Sequence, residues 1–166
     1  ECARRSVRPP MIMPIKRIAS NLRGQGRRVA VVLSRFNPAV GDGLLSGALR
    51  GLREAGVAEG DITVVTVPGA LEIPLAAQRF AQSGEIDAIV ALGAVIRGET
   101  YHFEIVSNES AAGVSSVMLE FGIPVGNGIL TCETDAQAEA RMDAKGYEAA
   151  LAALELANLS DALDDQ

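Results

Sequence analysis

The sequence predicts an α/β fold, a three-layer α/β/α sandwich around a four-stranded parallel sheet. Short apolar runs rich in β-branched residues recur along the chain, and between them the apolar period shifts to that of a helix. Runs apolar on both faces suit strands covered above and below, and strict alternation of strand and helix gives parallel strands joined by right-handed crossovers. Composition adds a third observation. Hydrophobic residues make up 48% but aromatics only 4%, so Leu, Val, Ile and Ala fill the core. The 166 residues fit one domain, expected over 13–166. Residues 1–12 are Arg-rich and are expected to form a flexible N-terminal extension, with Met11 or Met13 as the natural start.

In chain order, "RRVAVVLSRF" (27–36) is the first strand. "GDGLLSGALRGLREAG" (41–56) is a helix whose Leu44, Leu45, Ala48, Leu49 and Leu52 share a stripe, with Gly56 as its stop. "DITVVTV" (61–67) is the second strand. "ALEIPLAAQRFAQSG" (70–84) is a helix with Pro74 tolerated in its first turn and Gly84 at its end. "DAIVALGAVI" (87–96) is the third strand and the most apolar. A long helix follows over 103–121, with Val106, Ser110, Val114, Val117 and Phe121 along one side. "IPVGNGILT" (123–131) is the fourth strand, and its proline at the entry forfeits no needed N–H. Two closing helices are expected over 134–142 and 147–159, making five in all.

Charge and cysteine content narrow the partners. A net charge of −6 argues against nucleic acid, which needs clustered cations. The longest apolar runs stop short of the ~18 residues of a membrane span. Cys2 and Cys132 lie far apart without metal-like spacing, which suits a reduced, cytoplasmic protein.

Ligands of such sheets bind beyond the carboxyl ends of the strands. Here those ends read "SRFN" (34–37), "VPGALE" (67–72), "GAVIRGETYH" (93–102) and "GNGILT" (126–131). Phe36 either caps the core or, beside the amide of Asn37, stacks on a planar heterocycle. Glu72 either complements the start of a helix or accepts hydrogen bonds from sugar-like hydroxyls. Gly98 permits a tight turn, and backbone N–H groups at Glu99 and Thr100, expected at the helix start, form an anion site. Arg97 or the distant Arg141 can add a bidentate clamp on phosphate. The single histidine, His102, falls within a turn of that anion; an imidazole, with its ordinary pKa of about 6.5, suits proton transfer at neutral pH. Gly41, Gly43 and Gly47 imitate a dinucleotide fingerprint. Their spacing is one residue too long, and the next strand lacks the terminal acidic residue, so close helix packing is the better reading. No Ser or Cys stands beside a base, and no metal-ligand cluster is evident. Proton transfer and the positioning of reactive substrates remain.

"RFN", "PGALEIP", "GAVIRGETYHFE", "VSNES", "GNGILT" and Arg141 together resemble the lumazine synthase family, over about residues 27–159. The resemblance implies a flavodoxin-like fold and a step of riboflavin biosynthesis. In it, 5-amino-6-(D-ribitylamino)uracil condenses with 3,4-dihydroxy-2-butanone 4-phosphate to 6,7-dimethyl-8-ribityllumazine, releasing phosphate and water without metal or organic cofactor. It further implies that Phe36 stacks on the pyrimidine beside Asn37, that Ala70, Leu71 and Glu72 line the ribityl chain, and that Ala94, Val95 and Ile96 hold the uracil edge. Glu99 and Thr100 would bind phosphate through backbone N–H groups, His102 would act as general acid and base, and Arg141 would clamp the phosphate. Arg141 and Asn127 would come from the neighbouring subunit of a homopentamer or multiple of pentamers. Asn127 stands where many relatives carry Phe, so polar contact replaces stacking. The segment "RMDAKGYEAA" is shorter than the loop associated with sixty-subunit shells. Independently, the closing helix "AALAALELANL" is apolar around most of its circumference, which calls for a partner surface. "PIKRIA" (14–19) is expected to add as an edge strand to a neighbour. A non-catalytic ligand-binding relative and a shell protein are the competing readings.

Overall fold

The computed structural model describes residues 10–166. Of the expected extension over 1–12, residues 1–9 lie outside the described residues, and 10–12 are exposed and outside any helix or strand. Four strands, β1 (Val29–Ser34), β2 (Ile62–Val67), β3 (Ala88–Ile96) and β4 (Val125–Cys132), form a parallel sheet in the order β2-β1-β3-β4. The four helices are α1 (Pro38–Ala55), α2 (Ile73–Ser83), α3 (His102–Phe121) and α4 (Asp135–Asp164). The flanking layers follow from the pleat. In β1 and β3, Val29, Val31, Leu33, Ala88, Val90 and Leu92 pack with α1 and α4, while Ala30, Val32, Ile89 and Ala91 pack with α2 and α3. Strand β1 is buried along its whole length, as its unbroken apolar run requires; β2, at an edge, is half exposed. Gly56 and Gly84 end α1 and α2 in the left-handed conformation, as their positions in the sequence predict.

Two expectations need correction. The closing helices over 134–142 and 147–159 are one helix of 30 residues. Gly146 falls within this helix, and only glycine fits there, because any Cβ would lie 2.0 Å from the Leu44 carbonyl oxygen of α1. It is a contact glycine. Among the described residues the helices therefore number four, with short 3-10 turns at Glu59–Asp61 and Ala70–Glu72. The second correction concerns where helices begin. Residues 70–72 form a 3-10 turn before α2, and α3 begins at His102, leaving Glu99 and Thr100 outside the helix.

The glycines of α1 share this role. A Cβ on Gly47 would lie 2.1 Å from the Asp143 carbonyl oxygen, and one on Gly43 would strike the Met142 thioether. Within the near-fingerprint Gly41-Asp42-Gly43…Gly47, Gly47 thus brings two helix backbones together, Gly43 makes room for Met142 and Gly41 faces Leu33 of β1. Strand β4 is approached as closely, since Gly126 faces the Ala149 carbonyl at 2.0 Å from an ideal Cβ. Helix α4 is locked between α1 and the sheet. Its N-terminus is capped by the Thr134 hydroxyl, which accepts from the Gln137 N–H at 3.2 Å.

Candidate active site

The carboxyl ends of β1 and β3, the turn before α2 and the first turn of α3 enclose a cavity of about 300 Å³. Phe36, Ala70, Leu71, Glu72, Ala94, Val95, Ile96 and His102 line it, joined by Gly69 and Val106. The eight residues named first are separated by up to 66 positions in sequence and meet here because parallel strands deliver their ends to one side.

Each wall has a local cause. Phe36 stands two-thirds exposed at the rim, its ring laid over Gly69. A Cβ on Gly69 would come within 2.8 Å of that ring and 3.2 Å of a Glu72 carboxylate oxygen, so this glycine lets the aromatic face and the carboxylate converge. The 3-10 turn Ala70–Glu72 then presents Glu72 before Pro74 starts α2. The buried ends of Ala94 and Val95 form an apolar floor. His102, exposed, is the first residue of α3, and its backbone N–H donates to the Thr100 hydroxyl at 3.4 Å. Thr100 and Glu99 lie on the exposed turn 97–101 leading into His102.

The remaining site residues are placed differently. The Asn37 amide donates to Asp135 at 3.1 Å, tying the β1–α1 turn to the start of α4. Asn37 is left-handed, with φ of 62°, a conformation that Asn tolerates better than most residues. Asn127 is exposed on edge strand β4, its side-chain oxygen accepting from the Ile129 N–H at 2.9 Å. Arg141 lies in a second, larger cavity of about 530 Å³ between β4 and α4. The two cavities share no lining residue.

Sequence reasoning passed over the company Arg141 keeps. Lys145 follows one helical turn later and lines the same cavity, with Gln137 and Glu148. The i, i+4 spacing of Arg141 and Lys145 was legible once 141–147 was taken as helix. The Arg141 guanidinium donates to the Gln137 carbonyl at 2.8 Å and, among the described residues, carries no carboxylate ion pair. Arg97 is the opposite case. It donates to Glu104 and, at 2.6 Å, to Glu133, and lies over the Phe103 ring. Those contacts raise Arg97 above its ordinary pKa and, through the Arg97 hydrogen bond first, hold Glu104 below the usual carboxylate range.

The arrangement offers an aromatic face, a carboxylate, an apolar floor with strand-end backbone groups, and one imidazole beside a turn of free N–H groups. Such a pocket can hold a planar heterocycle bearing a polyhydroxy chain and move protons at its edge. The family model for 6,7-dimethyl-8-ribityllumazine synthase matches residues 26–161. Proteins named 6,7-dimethyl-8-ribityllumazine synthase from Paraburkholderia phymatum and Ralstonia nicotianae are each 56% identical, over 152 and 145 residues. The first alignment covers 92% of this chain and 88% of the relative, the second 87% and 88%. One from Cupriavidus metallidurans is 57% identical over 145 residues, 87% of this chain and 86% of the relative. By these matches, the chain belongs to the 6,7-dimethyl-8-ribityllumazine synthase family.

Proposed function

We propose that the His102 cavity is the catalytic half of a site completed by the Arg141 cavity of an adjacent copy of the same chain. The enzyme condenses 5-amino-6-(D-ribitylamino)uracil with 3,4-dihydroxy-2-butanone 4-phosphate to 6,7-dimethyl-8-ribityllumazine, releasing phosphate and water. The observation that carries the shared site is the separation of the two cavities. Arg141, on α4 and without a carboxylate partner among the described residues, lines a cavity that shares no residue with the pocket holding Phe36, Glu72 and His102. A clamp for that pocket then comes from another chain. Ring closure also fits a homopentamer, in which each copy lends one half-site and receives another through head-to-tail contacts.

Exposed apolar surface supports the partner. Met11, Ile12, Met13 and Ile15 are each at least 76% exposed, and among the described residues "PIKRIA" (14–19) pairs with no strand. Val64 on edge strand β2 and Leu159 on α4 are exposed as well. These are the strand edge and the helix face that a neighbour would cover.

In the proposed chemistry Phe36 stacks on the pyrimidine, backbone groups of Ala94–Ile96 hold its edge, and Glu72 accepts from the ribityl hydroxyls. Asn37 positions the loop carrying Phe36, and Asn127 reaches the neighbour's pocket as a polar contact. The amine of the uracil adds to the ketone and water leaves; a proton leaves carbon as the phosphate C–O bond breaks; the ribityl-bearing nitrogen closes the ring with loss of a second water. Each step moves a proton between nitrogen, carbon and a departing oxygen. His102 is the group in the pocket suited to that traffic, and the turn through Glu99 and Thr100 offers N–H groups to the departing phosphate. The chain's own side chains suffice, with no cofactor. The same reading places the enzyme in the cytoplasm, where Cys132 stays reduced. Among the described residues, no helix is long and apolar enough to cross a membrane.

The test mixes two impaired variants, His102→Ala and Arg141→Ala, and compares turnover at low keto-phosphate with the mean of the two measured alone. A site shared between copies regains activity in mixed oligomers, because some sites then draw both residues from unmutated chains. A site within one chain regains none, and that outcome would overturn the proposal.

A further inference from the structure

We propose that Arg97 is a positioning residue that locks the turn carrying His102 to the start of α4, so that the half-site a chain keeps and the half-site it lends are held in one fixed relation. The inference rests on the shared-site reading above.

Arg97 is the first residue after β3, and its own N–H continues the sheet ladder, donating to the Cys132 carbonyl at 2.9 Å. Its backbone is therefore fixed by the sheet. Its guanidinium then reaches two segments that are otherwise far apart in the chain. One contact is to Glu104, two residues after His102 in the first turn of α3; the other is to Glu133, 2.6 Å from the Arg97 Nε. Phe103 lies beneath, its ring centroid 4.3 Å from the guanidinium carbon. Glu133 directly precedes the Thr134 cap of α4, and its N–H donates to the Gln137 side chain at 2.9 Å. Gln137 in turn accepts from Arg141 through its carbonyl. A continuous chain of contacts thus runs from the His102 turn through Arg97 to the arginine of the other cavity.

Charge decides between this role and direct phosphate binding. One guanidinium set against two carboxylates leaves the cluster net negative, which disfavours a phosphate dianion there. Exposure decides between this role and a contribution to folding. The Arg97 side chain is 39% exposed and Glu133 58%, and ion pairs so placed add little to stability. Geometry is what remains for the cluster to supply. The planar fork of arginine can meet two carboxylates in fixed directions, which an ammonium cannot.

The experiment is steady-state kinetics of the full-length Arg97→Met enzyme, varying each substrate in turn. Methionine keeps the stem over Phe103 and removes the charge. The KM for the keto-phosphate substrate should rise about tenfold, inside the ~100-fold that a ~1 Å misplacement costs. The KM for the uracil should stay within about twofold, and the melting temperature within about 2 °C. Arg97→Lys should recover only part of the loss. Glu133→Gln should raise the same KM by less, and add nothing in the Arg97→Met background. Should Arg97→Met fail to fold, Arg97→Lys and Glu133→Gln carry the same test. Unchanged kinetics, or equal rises in both KM values with a lowered melting temperature, would overturn the positioning role. If Arg141→Ala raises the keto-phosphate KM while the Arg97 variants do not, only the lock falls. If neither does, the phosphate reading falls with it.

Discussion

The two faces of the sheet are packed to different ends. On one, α1 and α4 meet through Gly47 and Gly146 with backbones in contact, and Ala149, Ala150, Ala153 and Ala157 keep α4 close to the sheet. On the other, α2 and α3 cover the lower strands with Ile73, Val106, Val114 and Val117 but part at the strand ends to leave the His102 cavity. Glycine serves both faces differently. Gly146 brings backbone to backbone, whereas Gly69 opens room for Phe36 and Glu72 to face a ligand. The contrast teaches that the α1–α4 seam supplies rigidity and the His102 cavity is left open, so substitutions in the seam should cost stability and those lining that cavity should cost turnover.

The largest expected effect lies on the packed face. Gly146→Ala should cost about 3 kcal/mol, the upper end for overpacking, because its Cβ meets the Leu44 carbonyl, which cannot swing aside. Urea unfolding measures it. Altered KM values with unaltered stability would break the comparison. Next comes His102→Ala, with kcat lowered about 100-fold or less, because proton transfer is worth ~10²–10⁴ and one substrate is already reactive. An unchanged kcat would remove His102 from the mechanism. Arg141→Ala should then raise KM chiefly for the keto-phosphate, by about tenfold or more for a lost charge-assisted hydrogen bond. An effect confined to the uracil would sink that assignment.

Glu72→Gln is smaller again. It should raise the uracil KM by about fivefold, the worth of one hydrogen bond to a charged acceptor weakened to a neutral one. The smallest effect is a pH dependence. Arg97 holds Glu104 below its ordinary pKa, so in the folded state its carboxylate contributes above the unfolded value of about 4.3 and is lost as pH falls through the depressed one. The melting-temperature difference between the native enzyme and Glu104→Gln should stay constant from pH 8 to about 5 and close only below about 4. A difference that closes near neutral pH would assign the effect elsewhere.

Most of the fold was legible because the two apolar periods are distinct here. The run "VAVVL" has no polar face and the stripe Leu44, Ala48, Leu52 has one, so strand and helix are hard to confuse. The site was legible for a related reason. A parallel sheet collects its strand ends, so Phe36, Glu72 and His102 share a location before any contact is known. Continuity of α4 was not legible. A glycine in a helix looks like a stop until the opposing helix is seen, and nothing near Gly146 in sequence announces Leu44. The bond between Asn37 and Asp135 was hidden likewise, since it joins segments 98 residues apart. The fate of Arg97 turned on two carboxylates whose approach only the folded turn produces. Local pattern fixes period and turn chemistry; pairwise polar partners depend on geometry that the pattern does not contain.

The unbroken course of α4 makes it a lever. Near its far end, the Asn158 side chain holds the carbonyls of Asn21 and Arg23, and Arg27 reaches Asn158 and Asp161. Arg141 lies 17 residues back along the same rod, about 25 Å at about 1.5 Å per residue. A tilt of about 2° about that anchor sweeps Arg141 through roughly 0.9 Å, close to the ~1 Å displacement that costs about a hundredfold in rate. Under the role proposed for Arg141, the clasp at Asn158 would therefore help to set the placing of a phosphate clamp that it never touches.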